Sequence, residues 1–198
     1  MVINNSQIEI LKLLLEDPAK DYNMREISVK TKINYRLIHD GIKGLEKEGI
    51  VLVEKKGQAN SCKINPVENV LLCCYIENLR KEDFQRQHHQ IKIVEQELRK
   101  INHAYFTCVL FGDCVKGENK GAGIDLLFIA PNQIHLQFFE VEIKSVLGTL
   151  HYKFNINIIS EESFLEMKNE KELNVVNRAI KNHILLVGAE QYYRMLIK

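Results

Sequence analysis

Residues 109–130, VLFGDCVKGENKGAGIDLLFIA, have the residue types of a phosphate or metal site. An apolar run ends at Gly112, a loop containing Lys116 and Lys120 follows, and a second apolar run contains one acid, Asp125. Glycines let a backbone approach a phosphate closely, and a carboxylate is a ligand that Mg²⁺ accepts. The pattern therefore predicts two strands joined by a glycine-rich loop, with a carboxylate at the start of the second strand.

A cationic helix face is the second candidate for chemistry. The stretch NYRLIHDGIKGLEKEGI predicts a helix with a buried stripe of Leu37, Ile38, Ile42 and Leu45, capped by Asn34 and ended by Gly49. The polar residues away from that stripe are Tyr35, Arg36, His39, Lys43 and Lys47. If the N-terminus of this helix enters a major groove, its first residues meet base edges or phosphates and its later lysines lie nearer the DNA backbone.

The elements around this helix complete a small unit over residues 1–65. Helices are predicted at 7–16, which stops at Asp17-Pro18, and at MREISVKT, and two strands, IVLVEK and SCKIN, follow the third helix. The turn between these strands supplies further groups for phosphates or a minor groove: Lys55, Lys56, Gln58 and Asn60. Acids are interspersed among the cations, so a surface for protein contact is the alternative interpretation.

Three helices and a hairpin in this order resemble a winged helix-turn-helix domain. The stretch LIHDGIKGLEKEGIV is similar to the third helix and first wing strand of archaeal and bacterial regulators, and the resemblance covers residues 6–65. It implies binding to double-stranded DNA through the third helix and the wing. It also implies a homodimer, because dimeric winged helices read two half-sites.

Residues 66–103 predict two connecting helices. The first is expected to start at Pro66 and to use the apolar residues of VLLCCYI, and the second to run from Phe84 through Ile101. The apolar surface of LLCCYI exceeds what one linker helix needs, so we expect it to pack between domains or against a second copy of the chain. Glu95 and Arg99 have the spacing of a helical ion pair. The adjacent residues His88 and His89 point to different sides of a helix and cannot share a metal.

Residues 109–130 resemble the core of the nucleotidyltransferase superfamily, in the form of the minimal nucleotidyltransferases of archaea and bacteria. The frame is FGD at 111–113, KGE at 116–118 and GID at 123–125. Farther on, INIISEESF is similar to the third strand and the following helix start of that family, and NHILLVGAEQYY is similar to its ending. The resemblance covers roughly residues 90–198. It implies a Gly-Ser turn that holds nucleotide phosphates and an Asp-x-Asp strand that holds Mg²⁺, with a third acid on a later strand.

The chain departs from that pattern at each chemical position. Asp113 stands where the family has serine, Gly123 stands at the first acid, and only the second acid, Asp125, is present. The later strand offers Asn155 and Asn157 in place of a carboxylate, and an amide is neither a base nor an anionic Mg²⁺ ligand. One carboxylate cannot build a two-metal site. We therefore expect a degenerate nucleotide site of Gly112, Asp113, Lys116, Gly123 and Asp125, with no catalytic or metal-binding residue.

Two arrangements keep an enzyme open as an alternative. Asp113 could form a displaced acid pair with Asp125, or Glu118 could enter from the loop, and Asp125 would then be the catalytic and metal-binding residue. Under this alternative Mg²⁺ and a nucleotide are required, whereas the leading interpretation has no cofactor. Lys116 and Lys120 leave room for a weaker role, the binding of a nucleotide or another anion without turnover.

The remaining pattern predicts an α/β arrangement for residues 104–198. Leu136, Phe139, Ile143 and Leu147 form a stripe that Gly148 ends, which predicts a crossover helix between strands at 124–129 and 153–159. A mixed sheet flanked by helices follows from that crossover. The fold class is therefore α+β with an α/β part: an N-terminal winged helix, a helical linker at 66–103 and a nucleotidyltransferase-like domain.

Composition limits the classes of protein. The chain has 198 residues, of which 45% are hydrophobic, and its formal net charge of +1 requires any basic surface to be local. No apolar stretch approaches the roughly 20 residues needed to span a bilayer, and the N-terminus has no signal-peptide pattern. Five cysteines without a CxxC pair predict reduced thiols in the cytoplasm.

These observations lead to one leading hypothesis and two alternatives. The leading one is a DNA-binding transcriptional regulator, of archaeal type, whose inactive nucleotidyltransferase-like domain serves dimerisation or sensing. The first alternative is a Mg²⁺-dependent nucleotidyltransferase that acts on a protein or a small molecule. The second is an interaction module, such as the partner of a toxin, whose winged helix contacts protein.

Overall fold

The computed structural model of the chain describes residues 3–56, 59–103, 105–117, 123–170 and 172–198, without the side chains of Lys56 and Ala59. The described chain is a mixture of helices and two small sheets. It forms two compact units, Met1–Glu77 and Asn78–Lys198, whose boundary falls inside a helix. The sequence predicts three domains or linkers, at 1–65, 66–103 and 104–198, and this division stays a prediction.

The first unit begins with three helices and a short strand. Its elements in chain order are α1 (Asn5–Glu16), β1 (Tyr22–Asn23), α2 (Met24–Thr31), α3 (Tyr35–Lys47), β2 (Val51–Lys56) and β3 (Ala59–Ile64). Asparagine side chains start all three helices: those of Asn4, Asn23 and Asn34 each accept a hydrogen bond from a backbone N–H in the first turn. The chain leaves α1 at Asp17, next to Pro18, as the sequence predicts.

The three strands of the first unit form an antiparallel sheet in the order β1-β3-β2. Helices α1, α2 and α3 pack together over a core that includes Leu11, Ile27 and Ile42. The predicted buried stripe of α3 is wrong at one residue, because Leu37 is 52% exposed. The buried face consists of Ile38, Gly41, Ile42 and Leu45, and Leu37 lies a full 100° around the helix from Ile38.

The linker helices differ from the prediction in their bounds. Helix α4 (Val70–Gln87) starts at Val70 and not at Pro66, and it includes Phe84, which was expected in the second helix. Helix α5 (His89–Leu98) begins after His88, whose ring stacks on that of Phe84 at a centroid distance of 4.2 Å. The predicted pair is present, with 3.2 Å between Arg99 Nη2 and Glu95 Oε1.

The second unit contains a four-stranded mixed sheet. The remaining elements are β4 (Thr107–Phe111), α6 (Asp113–Lys116), β5 (Ile124–Ala130), α7 (Leu136–Leu147), β6 (Phe154–Ser160), α8 (Glu161–Asn169), α9 (Val175–Ile180), β7 (Ile184–Val187) and α10 (Ala189–Leu196). The strand order is β6-β5-β4-β7. Strands β5 and β6 are parallel and the other pairs are antiparallel, so α7 is the crossover helix that the sequence predicts.

Helices cover both faces of this sheet. Every residue of β4 is buried, and successive residues of a strand point to opposite faces, so neither face of β4 is open to water. Side chains of α5 and α7, among them Val94 and Phe139, join one core cluster with Leu110 and Phe128 of the central strands. Helices α8, α9 and α10 also contact the sheet. Among the described residues, no helix is long and apolar enough to cross a membrane.

Four of the five thiols are predicted to be unreactive in the folded protein. Burial raises the pKa of Cys62 to about 11 and that of Cys73 to about 12, and Cys108 and Cys114 are buried as well. Because the thiolate is the nucleophile, iodoacetamide at pH 8 should label the half-buried Cys74 first and the others only on unfolding. Peptide mass spectrometry measures this order. Equal labelling of Cys108 in native and unfolded protein would contradict it.

Candidate functional site

The first candidate site is the exposed side of α3. Asn34 fixes the start of the helix by accepting a hydrogen bond from Arg36 N at 2.9 Å, which leaves Tyr35 and Arg36 exposed in the first turn. The Tyr35 ring lies over that of His39, with 6.5 Å between centroids. His39 is half-buried, and its Nδ1 lies 3.3 Å from Asp40 Oδ1. The aromatic pair therefore lies beside the cationic side chain at the helix N-terminus.

A stripe of exposed cations continues along α3. Arg36, Lys43 and Lys47 are all exposed, and their spacing of seven and four residues puts them on one side of the helix. At a rise of 1.5 Å per residue the stripe is about 16 Å long. Asp40 lies on the same side between Arg36 and Lys43, so one acid interrupts it. The structure thus brings together the α3 residues that the sequence singles out.

Two glycines on the opposite side of α3 set how closely it approaches α1. A methyl group on Gly41 would come within 2.9 Å of Ile10 Cδ1, and one on Gly44 within 2.8 Å of Gln7 Nε2. Gln7 also caps α1 together with Asn4 and donates a hydrogen bond from Nε2 to the carbonyl oxygen of Gly41, at 3.4 Å. The exposed side of α3 is therefore presented by a closely packed helix pair.

The hairpin brings a second polar group to the same unit. Lys55 of β2 and Asn60 of β3 are direct cross-strand partners, and both are exposed. Two predicted members of this group, Gln58 and the side chain of Lys56, lie outside the described residues. The described part of the hairpin thus pairs one cation with one amide.

Sequence reasoning missed an exposed segment before α3. Lys32 is exposed and adopts a left-handed conformation, with φ of 57°, at the end of α2. Val29 is 78% exposed one turn earlier, and Leu37 is exposed in α3. Two of these exposed residues, Val29 and Leu37, are apolar. Nothing in the composition of the turn signalled a left-handed lysine, because glycine and asparagine are the usual residues there.

The second candidate site lies where β4 ends and β5 begins. Gly112 has φ of 81°, and a Cβ placed on it would lie only 2.2 Å from Asp125 Oδ2. The other oxygen of Asp125, Oδ1, accepts a hydrogen bond from Asn155 Nδ2 at 2.8 Å. The parallel register of β5 and β6 causes this contact, because it sets Asp125 directly opposite Asn155. Asn157 lies two residues farther along β6, opposite Leu127.

Gly123 occupies a crowded position with an unusual backbone conformation. Its φ is 94°, a conformation that side chains rarely adopt. A Cβ there would lie 3.0 Å from the backbone oxygen of Lys153 and 3.3 Å from Asn155 Nδ2. The backbone just before β6 and the Asn155 amide thus crowd the space beside Gly123.

Asp113 and Lys116 belong to the short helix α6 that follows Gly112. Asp113 is half-buried and Lys116 is exposed. Between them, Cys114 is buried, and burial followed by the charge of Asp125 raises the pKa of its thiol. Among the described residues, no three His, Cys, Asp or Glu side chains are grouped to hold a metal ion. Glu118 and Lys120 lie outside the described residues.

A small basic cleft opens beside Gly112, on the side of β7. Its volume is about 170 Å³, and its lining residues are Phe111, Gly112, Lys116, Leu173, Asn177, Arg178, Lys181 and Asn182. Three of these are cations and none is an acid. The Arg178 guanidinium carbon lies 5.8 Å from the centre of the Phe111 ring. The antiparallel pairing of β4 with β7 brings Lys116 near Arg178 and Lys181, which are distant in sequence. Of the three cations, sequence reasoning found only Lys116.

Comparison with known proteins gives matches among solved structures. No protein-family model matches the chain, and no curated protein matches it either. Among solved structures, the chain is similar to TrmBL2, described as an archaeal chromatin protein with a novel mode of DNA binding. The match covers 85% of this chain and 67% of that chain, with 14% sequence identity and a TM-score of 0.30. A TM-score of this size does not establish a shared fold.

Restoring the missing acid should not restore a metal site. In Gly123→Asp the new side chain must adopt a left-handed backbone and press on Lys153 and Asn155, so we expect the free energy of unfolding to fall by about 1–3 kcal/mol. Addition of Mg²⁺ at about 10 mM, enough to occupy a weak site, should leave the melting temperature of this variant unchanged. Thermal unfolding with and without Mg²⁺ measures both effects.

Gly117→Asp is the matched control for this variant. Gly117 has φ of 74°, but a Cβ there meets no atom within 4 Å, so this variant has the backbone strain without the close contacts. We expect it to be the less destabilised of the two. A Mg²⁺-dependent rise in the melting temperature of Gly123→Asp alone would show that the site can be rebuilt, and would contradict the close packing described above.

Proposed function

We propose that this protein is a DNA-binding transcriptional regulator. The observation that carries the proposal is the exposed cationic stripe of Arg36, Lys43 and Lys47 on a helix whose N-terminus is capped and open to solvent. Cations at this spacing match the requirements for phosphate contacts, and Tyr35 and His39 add groups that can meet base edges. Double-stranded DNA is the proposed partner, with no membrane and no cofactor, in the cytoplasm.

We further propose that residues 1–65 are a winged helix-turn-helix domain. The order of α1, β1, α2, α3 and an antiparallel hairpin supports this assignment. In such a domain α3 enters the major groove and the hairpin, with Lys55 and Asn60 opposite each other, reaches the flanking phosphates. Lys32, at the turn between α2 and α3, is the further residue that we assign to the backbone contacts.

Residues 104–198 are proposed to be a catalytically inactive nucleotidyltransferase-like domain. The mixed sheet with its crossover helix supports the resemblance, and the surroundings of Asp125 support the inactivity. Asp125 Oδ1 accepts a hydrogen bond from Asn155, and Gly112 packs against Oδ2, so the surroundings of this carboxylate are already filled by the protein. The enzyme alternative needs a second carboxylate beside Asp125, and no described contact provides one.

The role proposed for this domain is dimerisation or sensing. The basic cleft supports sensing, since Lys116, Arg178 and Lys181 line a space of about 170 Å³ and none of the described lining residues is an acid. That volume suits an anion of the size of one or two phosphate groups. Without a metal site beside it, the cleft would take the anion free of Mg²⁺.

DNA binding is tested by mobility shifts with fragments from the protein's own genomic neighbourhood. We expect binding at low salt, with an affinity that falls as salt rises because phosphate contacts release counterions. In the double variant Arg36→Gln/Lys43→Gln, the slope of log K against log salt should become shallower by about two, roughly one for each lost phosphate contact.

Lys20→Gln is the control for that experiment. Lys20 lies between α1 and β1 and pairs with Glu26, so its loss changes the charge of the same unit without changing α3. We expect the same salt slope as for the original chain. Absence of any mobility shift at low salt would contradict the DNA-binding proposal. An equal effect of Lys20→Gln on the salt slope would place the DNA contacts elsewhere on the unit.

Dimerisation through α4 is a separate prediction. Leu71 and Tyr75 are exposed one turn apart on α4, by 74% and 53%, and Val67 is exposed just before the helix, which supports an apolar contact surface at its start. Leu71→Glu should shift the protein from dimer to monomer in sedimentation equilibrium without loss of helical content. Val141→Glu, at an exposed apolar position of α7, is the control and should leave the dimer intact. A monomeric original chain contradicts the prediction.

One observation favours the interaction-module alternative. Phe138 and Val141 are exposed by 74% and 67% one turn apart on α7, and this patch is unrelated to the cationic stripe. A partner protein could cover it. Co-purification with a neighbour-encoded protein, lost in Phe138→Glu and combined with no DNA shift, would favour this function over the regulator.

A further inference from the structure

A second cavity, of about 520 Å³, lies between the later part of α4 and α5. Its lining residues are Asn78, Lys81, Glu82, Gln85, Arg86, His89, Lys92, Glu95 and Arg99. We call this cavity the helix-pair groove. Helices normally meet through apolar side chains, but the lining here is polar throughout, and its charged members include more cations than acids. The volume is in the range of small-molecule sites.

The floor of the groove is a nearly buried network centred on Glu95. Its Oε1 accepts from Lys81 Nζ at 3.0 Å and from Arg99 Nη2 at 3.2 Å, and its Oε2 accepts from Gln85 Nε2 at 2.7 Å. Burial alone would raise the pKa of Glu95, but the hydrogen bonds from Gln85 and Lys81 and the charge of Lys81 lower it. The carboxylate is therefore ionised, and its charge is balanced within the floor.

Such a network is a costly way to hold two helices together. Removing ionic groups from water offsets most of what their pairing contributes, so apolar side chains would stabilise the pair at least as well. What the network does provide is a set of fixed charges below an open groove. Because Glu95 is already bound by three donors, it adds little repulsion to an anion that enters from above.

The cations of the groove wall are available to such an anion. His89, Lys92 and Arg99 are exposed and lie along one side of α5 over about 15 Å. A guanidinium has five N–H donors, and among the described contacts Arg99 gives only Nη2 to Glu95. Lys92 forms no ion pair with the described residues. Across the groove, Arg86 pairs with Asp83 and keeps its side chain largely exposed.

From these observations we propose that the helix-pair groove binds a small multivalent anion that carries phosphate or carboxylate groups. The anion lies against Lys92 and Arg99, with the Glu95 network below it. This site is distinct from the basic cleft: it is formed by α4 and α5, is about three times larger, and shares no lining residue with the cleft. The recessed floor favours a small molecule over a nucleic-acid backbone.

The test is calorimetric titration of the full chain with tripolyphosphate and, separately, with citrate, both in the presence of EDTA. We expect saturable binding of at least one anion. Lys92→Gln should raise its dissociation constant by about tenfold, since hydrogen bonds to charged groups contribute about 1.5–3 kcal/mol. Binding of tripolyphosphate alone would identify phosphate as the recognised group, and binding of citrate would extend the site to carboxylates.

Two controls locate the binding. Lys144→Gln removes an exposed lysine of α7 that pairs with Glu140, and should leave the dissociation constant unchanged. Arg178→Gln removes a cation of the basic cleft, and it should also leave the dissociation constant of the groove unchanged. The proposal is overturned if neither anion binds, if Lys92→Gln binds as the original chain does, or if all three variants weaken binding equally.

Discussion

The parallel pairing of β5 with β6 is the constraint on which the second unit depends. It sets Asp125 opposite Asn155, whose amide donates a hydrogen bond to the carboxylate. The same pairing brings the backbone of Lys153 up to Gly123, while Gly112 closes over Asp125 from β4. Gly112, Gly123 and Asn155 look unrelated in the sequence. In the structure they form one packed arrangement, in which each makes the others sterically acceptable.

That arrangement separates two properties that usually occur together in a phosphate site. One oxygen of the carboxylate accepts a hydrogen bond from a neutral amide, and Gly112 packs against the other. The cations lie on the other side of Gly112, toward β7, where Lys116, Arg178 and Lys181 meet. An anion can therefore be attracted to this edge of the sheet without the metal that phosphoryl or nucleotidyl transfer requires.

Much of the local structure followed from the sequence, because periodicity and caps are local signals. Helix α2 and the end of α1 are where the pattern put them, and Asn34 caps α3 as expected. The errors have physical causes. Proline at position 66 is compatible with a helix start but does not compel one, and the break at His88 carries no glycine or proline.

What could not be predicted depends on contacts between distant residues. The pairing of Asp125 with Asn155 requires the register of two strands separated by a crossover helix. The basic cleft requires the antiparallel pairing of β4 with β7, and the Glu95 network requires a turn at His88 that folds α5 back along α4. Only the pair of Glu95 with Arg99, four residues apart on one helix, was visible beforehand.

The two glycines of α3 have a consequence for how the first unit can change. Gly41 and Gly44 face Ile10 and Gln7 of α1, so the contact that holds the helix in place is made by one side of it. The exposed residues of the helix, such as Arg36, Lys43 and Lys47, lie away from that contact. The side chains that form the exposed surface and those that hold the helix in the fold therefore occupy separate positions. Single substitutions at these exposed positions therefore change the surface of the helix without a compensating change in the core.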